Sequence, residues 1–144
     1  MQLSGDGRQL ATKCVLLVED DALSLKLMRD VLIARGYSIA EATNGPDALE
    51  LAKLAHHDLI VMDVGLPGMD GVEVTRRLKS DKATARVPVL AVTAYAMPGD
   101  EDRMREAGCD EFLTKPLSFA LFVTLVDFLS GRPLNQSFAN GREK

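Results

Sequence analysis

Cysteine is scarce in this chain of 144 residues. Only Cys14 and Cys109 occur, too few for a disulfide framework, so a reduced chain in the cytoplasm is expected. Both lie in or beside apolar segments, which favours packing over redox chemistry. A basic excess is missing as well. The net charge is -4 and the sequence pI is near 5.2, which gives no global electrostatic reason to bind nucleic acid or anionic lipid. The local cluster Arg76, Arg77 and Lys79 suits the solvated face of a helix instead. Long apolar runs are also lacking. The longest nearly apolar stretch, Phe119–Leu129, is too short to span a bilayer, and residues 1–13 have no apolar core of the signal-peptide kind. There is no internal repeat, no Gly-x-Gly-x-x-Gly after a strand and no Walker A loop, so nucleotide-binding folds lose support.

What is present is a chain with 47% hydrophobic residues, enough for one domain with a substantial core and no second domain of useful size. Residues 1–13 read as a flexible lead-in, 14–131 as the domain, and 132–144 as a tail expected to be disordered. Within the domain, residues 14–18 form an apolar run closed by Glu19, Asp20 and Asp21. Apolar residues then recur at helical spacing over 22–35, with Leu25, Met28 and Leu32 on one face, until Gly36 stops the helix. Strands are expected at 37–42, 58–63, 87–93 and 111–114, and helices from Pro46 to His57 and over 71–80, 98–107 and 118–130. Five strands alternating with five helices argue for a mainly parallel sheet covered on both faces.

The stretch Asp58-Leu-Ile-Val-Met-Asp63 organises the rest. A carboxylate stands where its apolar run stops, before the turn-rich Gly65, Pro67, Gly68 and Gly71. In parallel sheets ligands bind outside the carboxyl ends of the strands, so Asp63 would lie at the floor of a site. The blander alternative is an aspartate that caps the next helix. Other strands, however, deliver polar groups to the same edge: Glu19, Asp20 and Asp21 from the first, Thr93 from the fourth, Lys115 from the fifth. Unit charges ~4 Å apart interact by roughly 4 kcal/mol at an effective dielectric of about 20, so three clustered carboxylates repel by on the order of 10 kcal/mol. A raised carboxyl pKa, Lys115 or a hard cation could relieve this. All-oxygen ligands on loops suit Mg²⁺.

Four motifs in order, Val-Leu-Leu-Val-Glu19-Asp20-Asp21, Leu-Ile-Val-Met-Asp63 through Pro67 to Gly71, Val-Leu-Ala-Val-Thr93-Ala94 and Leu-Thr-Lys115-Pro116, resemble the receiver domain of bacterial two-component response regulators over roughly residues 14–130. Among these the chain looks most like single-domain receivers of the DivK type. The resemblance implies a flavodoxin-like doubly wound sheet of five parallel strands in the order 2-1-3-4-5. It implies Asp63 as the phosphoacceptor, taking a phosphoryl group from a phospho-histidine on a sensor histidine kinase or a histidine phosphotransfer protein. It further implies direct Mg²⁺ ligation by Asp20 and Asp63, with Glu19 acting through water and the Gly65 carbonyl as a further ligand. Thr93, the Ala94 backbone N–H and Lys115 would hold the phosphoryl oxygens, and the Lys115–Pro116 bond would be cis. Phe112 stands where many receivers carry a switching tyrosine, so Thr93 would couple to a ring without a hydroxyl. Tyr95 is expected to shield the acyl phosphate from water.

The implied function is a stand-alone switch whose output is a protein contact. A haloacid dehalogenase-type phosphatase needs an acid two residues after the nucleophile, and Gly65 occupies that place. A flavodoxin needs a phosphate loop where Glu19, Asp20 and Asp21 stand. A non-phosphorylated pseudo-receiver, acting only as a docking module, sits poorly with intact acids, Thr93 and Lys115. The last helix carries two apolar stripes. Phe119, Phe122, Val126 and Leu129 are assigned to the sheet, and Leu121, Leu125 and Phe128 to a homodimer or partner surface. His56 and His57 are expected to end the second helix, where cations are favourable, and the six methionines to fill core.

Overall fold

The computed structural model describes residues 12–94 and 97–132. Most of the expected lead-in, the tail beyond Arg132 and Tyr95 lie outside the described residues. Five strands, β1 (Cys14–Val18), β2 (Ser38–Ala42), β3 (Leu59–Asp63), β4 (Val89–Thr93) and β5 (Glu111–Thr114), alternate with five helices. The helices are α1 (Ala22–Ala34), α2 (Gly45–Leu54), α3 (Gly71–Ser80), α4 (Asp100–Ala107) and α5 (Phe119–Leu129). All strand pairs are parallel and the sheet runs β2-β1-β3-β4-β5, the expected order.

Side-chain alternation explains why the sheet is covered twice. Val15 and Leu17 of β1 face a layer formed by Leu25, Met28 and Leu32 of α1 and Phe122 and Val126 of α5. Leu16 and Val18 face the opposite layer, where Ala48 of α2, Val74 and Leu78 of α3 and Met104 of α4 pack. The inner strands β3 and β4 are buried along their whole length, which is why they read as continuous apolar runs. Cys109 is buried, and that burial pushes its thiol up to about 11. Such a thiol is inert, in line with the packing role expected for it.

Side-chain caps set the helix starts that face the site. Asp21 accepts from the Ser24 N–H, Asn44 from Asp47, Asp70 from Glu73 and Ser118 from Leu121, each satisfying a donor that has no partner within its helix.

Several boundaries differ from expectation. α2 ends at Leu54 because Ala55 is extended, at φ -148 and ψ 160. His56 and His57 therefore lie past the helix. His57 turns back and is buried, its Nε2 within 3.1 Å of the Leu51 carbonyl oxygen, so it caps a helical carbonyl rather than extending the helix. α4 begins at Asp100 rather than at Pro98, since Gly99 takes a left-handed conformation at φ 88. β4 begins at Val89, because the Val87 N–H closes a turn onto Thr84 and its carbonyl accepts from Lys79 Nζ at 2.7 Å.

The stripes of α5 are also redistributed. Phe122 and Val126 are fully buried and Leu129 partly so, but Phe119 is 39% exposed. Leu125, expected on the outer stripe, packs partly against the core, and only Leu121 and Phe128 stay outward. Asp127 between them is 3% exposed and accepts hydrogen bonds from Arg35 and the Tyr37 hydroxyl. This clamp ties the end of α5 to the end of α1.

Candidate functional site

β1, β3, β4 and β5 all end at one edge, and each contributes a polar group to a single cleft of about 580 Å³ there. Glu19, Asp20, Asp63, Gly65, Thr93, Ala94 and Lys115 all line it, as do four polar groups that sequence reasoning did not select for the site: Ser24, Asp70, Asp100 and Arg103. Asp63 is the last residue of β3 and is 8% exposed, and Thr93, the last residue of β4, is 3% exposed. Asp63 Oδ1 accepts from the Gly65 N–H at 3.1 Å, which fixes the carboxyl at the strand end.

Glu19 is buried yet fully engaged. Lys115 Nζ donates to its Oε1 at 2.6 Å, and the Asp21 N–H donates to its Oε2 at 3.1 Å. Lys115 also donates to Ser24 Oγ at 3.1 Å, and its backbone N–H bonds the Thr93 carbonyl at 2.9 Å. The peptide bond after it, Lys115–Pro116, is cis. Asp21, expected as a third member of the acid cluster, instead caps α1 through Ser24. That hydrogen bond holds its carboxyl below the usual range.

Oxygens of Glu19, Asp20 and Asp63 lie within 4.8 Å of one another. Burial, and next to it the Glu19 carboxylate, push Asp63 up to about 7. Lys115 opposes this from across the site but is already committed to Glu19. The cleft therefore carries surplus negative charge in an all-oxygen donor set, which is what a hard divalent cation such as Mg²⁺ requires. Glu19 already accepts a hydrogen bond on each oxygen, so Asp20 and Asp63 are the less committed carboxylates of the three.

Beside the acids lies an apolar notch of about 250 Å³ lined by Leu27, Met28, Pro116, Leu117 and Phe119. Phe112 on β5 pairs with Ala91 of β4 and is partly buried against the core layer that includes Met104 and Ala107 of α4.

A family model for the response regulator receiver domain matches residues 15–127. The polar-differentiation response regulator DivK of Brucella ovis is 46% identical over 115 residues, covering 80% of this chain and 94% of that protein; DivK of Brucella abortus matches equally. Among solved structures, the receiver domain of a sensor histidine kinase from Pseudomonas aeruginosa superposes with a TM-score of 0.78 at 31% identity. The match covers 84% of this chain and 99% of that one, and that structure has a magnesium ion coordinated in its active site cleft. The chemotaxis response regulator CheY4 of Vibrio cholerae superposes with a TM-score of 0.77 at 24% identity, covering 83% of this chain and 99% of that one.

Proposed function

Because the chain belongs to the response regulator receiver domain family, we propose that it is a stand-alone phosphorylation switch in which Asp63 is the phosphoacceptor. The observation that carries this reading is the convergence of Asp63, Glu19, Asp20, Thr93 and Lys115 on one cleft.

The donor is a phospho-histidine on a sensor histidine kinase or a histidine phosphotransfer protein. An ionised Asp63 oxygen supplies the electron pair for the new P–O bond. The P–N bond breaks, and its pair returns to the imidazole of the donor. Such a transfer needs positioning and charge neutralisation more than covalent assistance. Thr93 and the Ala94 N–H orient phosphoryl oxygens, and Lys115 leaves Glu19 to pair with the incoming charge. Asp20, Asp63 and the Gly65 carbonyl, with Glu19 behind them, would hold Mg²⁺, which would supply further positive charge against those oxygens. The chain is thus a switch that assists its own phosphorylation and dephosphorylation and acts in the cytoplasm.

The apolar notch beside Lys115, with Leu27 at 42% and Phe119 at 39% exposure, gives a donor protein an apolar footing next to the reactive carboxylate. Output runs from Thr93 through Phe112 to the outer face of α5. There Leu121 and Phe128, 48% and 65% exposed, form the core of a homodimer contact. Light scattering on Phe128→Glu should give monomer mass at concentrations where the native chain dimerises; equal masses for the two at every concentration would remove the dimer.

The central test is direct. Incubated with Mg²⁺ and acetyl phosphate, the native chain should gain one phosphoryl group by intact mass and Asp63→Asn should gain none. An adduct on both proteins, or on neither, refutes the assignment.

A further inference from the structure

Arg103 belongs to none of the motifs above, yet it projects into the same cleft. Six carboxylates line that cleft, those of Glu19, Asp20, Asp21, Asp63, Asp70 and Asp100, and among the described residues only two cations, Lys115 and Arg103, answer them. Lys115 is held by Glu19 and Ser24. Arg103 is held at one nitrogen only, its Nη2 donating to Asp100 Oδ1 at 2.5 Å, and its side chain is 52% exposed. The guanidinium therefore keeps donors available in a flat fork, the arrangement that suits phosphate oxygens.

Its anchor is built into the fold. The Asp100 side chain is 7% exposed, and its Oδ2 accepts from the Met97 N–H at 2.7 Å, while the Asp100 N–H donates back to the Met97 carbonyl at 3.0 Å. This reciprocal pair pins the start of α4 to the segment leaving β4, the strand that delivers Thr93 and Ala94. Arg103 is thereby fixed at its base and loose at its tip. It is held charged first by the hydrogen bond to Asp100, then by the fields of Asp100 and of Asp70 on the α3 side of the cleft. Its tip thus lies in the field of both walls of the cleft.

We propose that Arg103 is the second phosphoryl-binding cation of this site, closing from the α4 side onto the phosphoryl group of Asp63 while Lys115 holds it from the β5 side. Phosphorylation replaces one carboxylate charge with up to two phosphoryl charges. Lys115 meets that charge only by giving up its hold on buried Glu19. Arg103 meets it without leaving a buried acid bare, because a guanidinium can keep one N–H on Asp100 and offer two others.

This inference rests on the phosphoacceptor reading and can fail separately from it. The probe is trifluoroberyllate, a phosphoryl mimic formed from beryllium and fluoride, titrated into the full chain at saturating Mg²⁺ and followed by fluorine NMR. Mg²⁺ affinity is measured separately in its absence. Arg103→Gln should weaken trifluoroberyllate binding about tenfold or more, the worth of a hydrogen bond to a charged group. Arg103→Lys should fall between the two. Mg²⁺ affinity should stay level or tighten in Arg103→Gln, because the substitution removes a cation from an acidic cleft. Those opposite signs separate a phosphoryl contact from a structural one, which would weaken both ligands together. Equal trifluoroberyllate affinity in the native chain and Arg103→Gln overturns the assignment, and so does a parallel loss of both ligands. A native chain that takes up no trifluoroberyllate, and no phosphoryl group from acetyl phosphate, overturns the phosphoacceptor reading and this inference with it.

Discussion

Proton release on Mg²⁺ binding tests the electrostatics of the cleft most directly. The Asp63 carboxyl sits at about 7, against an ordinary aspartate value near 3.8. At 1.36 kcal/mol for each pH unit, that interval corresponds to a preference of the fold for the neutral carboxyl of at most on the order of 4 kcal/mol. The sign follows from which state ionises first. Below about pH 4 both folded and unfolded chains hold the proton, and no penalty exists. Between about pH 4 and pH 7 the unfolded chain ionises while the folded one does not, so the stability of the metal-free protein falls as pH rises through this window. Above about pH 7 the loss is complete and stability levels off.

Mg²⁺ reverses the preference, since it takes the ionised carboxylate. Its affinity should rise about tenfold per pH unit up to about pH 7 and then flatten, with close to one proton released per ion at about pH 6 and almost none above about pH 8. Calorimetry in two buffers of different ionisation enthalpy counts that proton. Asp63→Asn should release none at any pH. A Mg²⁺ affinity independent of pH, or proton release that survives in Asp63→Asn, would refute the reasoning.

Three further substitutions probe what holds the cleft together. Lys115→Met strands the buried carboxylate of Glu19. Urea melts at about pH 8 without metal should show a loss of about 3 kcal/mol, partly recovered by Mg²⁺; a loss that Mg²⁺ leaves unchanged would contradict the charge argument. Gly71→Ala places a Cβ 2.2 Å from the Asp63 carbonyl oxygen and 2.8 Å from Val64 Cα. Backbone must move, so phosphoryl uptake from acetyl phosphate should collapse along with a loss of about 2–3 kcal/mol, whereas near-native uptake would show that α3 does not set the nucleophile. Asp127→Asn breaks the clamp to Arg35 and Tyr37 far from the cleft. It should cost about 2 kcal/mol in urea melts while leaving Mg²⁺ affinity unchanged, and a shifted Mg²⁺ affinity would mean that the clamp communicates with the site.

Much of the fold could be read from the sequence because its signals are local. α3 and β5 have the expected bounds, and α5 falls within a residue of them, since Asp70 and Ser118 cap their helices at a spacing that one turn defines. Boundaries slipped where a single backbone conformation decided them, as at extended Ala55 and left-handed Gly99, or where a distant side chain claimed a backbone group, as Lys79 does at Val87. Asp127 is the one charge in the stretch Phe119–Leu129. Its partners lie 92 and 90 positions earlier, and no periodicity within α5 could point to them.

The cleft divides along the same line. Asp63, Thr93 and Lys115 stood out because each follows an apolar run, and parallel strands bring run ends to one edge whatever the helices do. Ser24 and Arg103 reach that edge from helices, so their positions depend on how α1 and α4 are rotated against the sheet, which Met28 and Met104 set by burial in opposite layers. Asp100, Glu101 and Asp102 lie in the first turn of α4, where acids favour the helix dipole. Asp100 does more than that, because the turn it closes with Met97 aims Arg103 at the charge of the cleft. Strands therefore supply Asp63 and the groups that face it, while helices supply Ser24 and Arg103. Only the first set follows from sequence order alone.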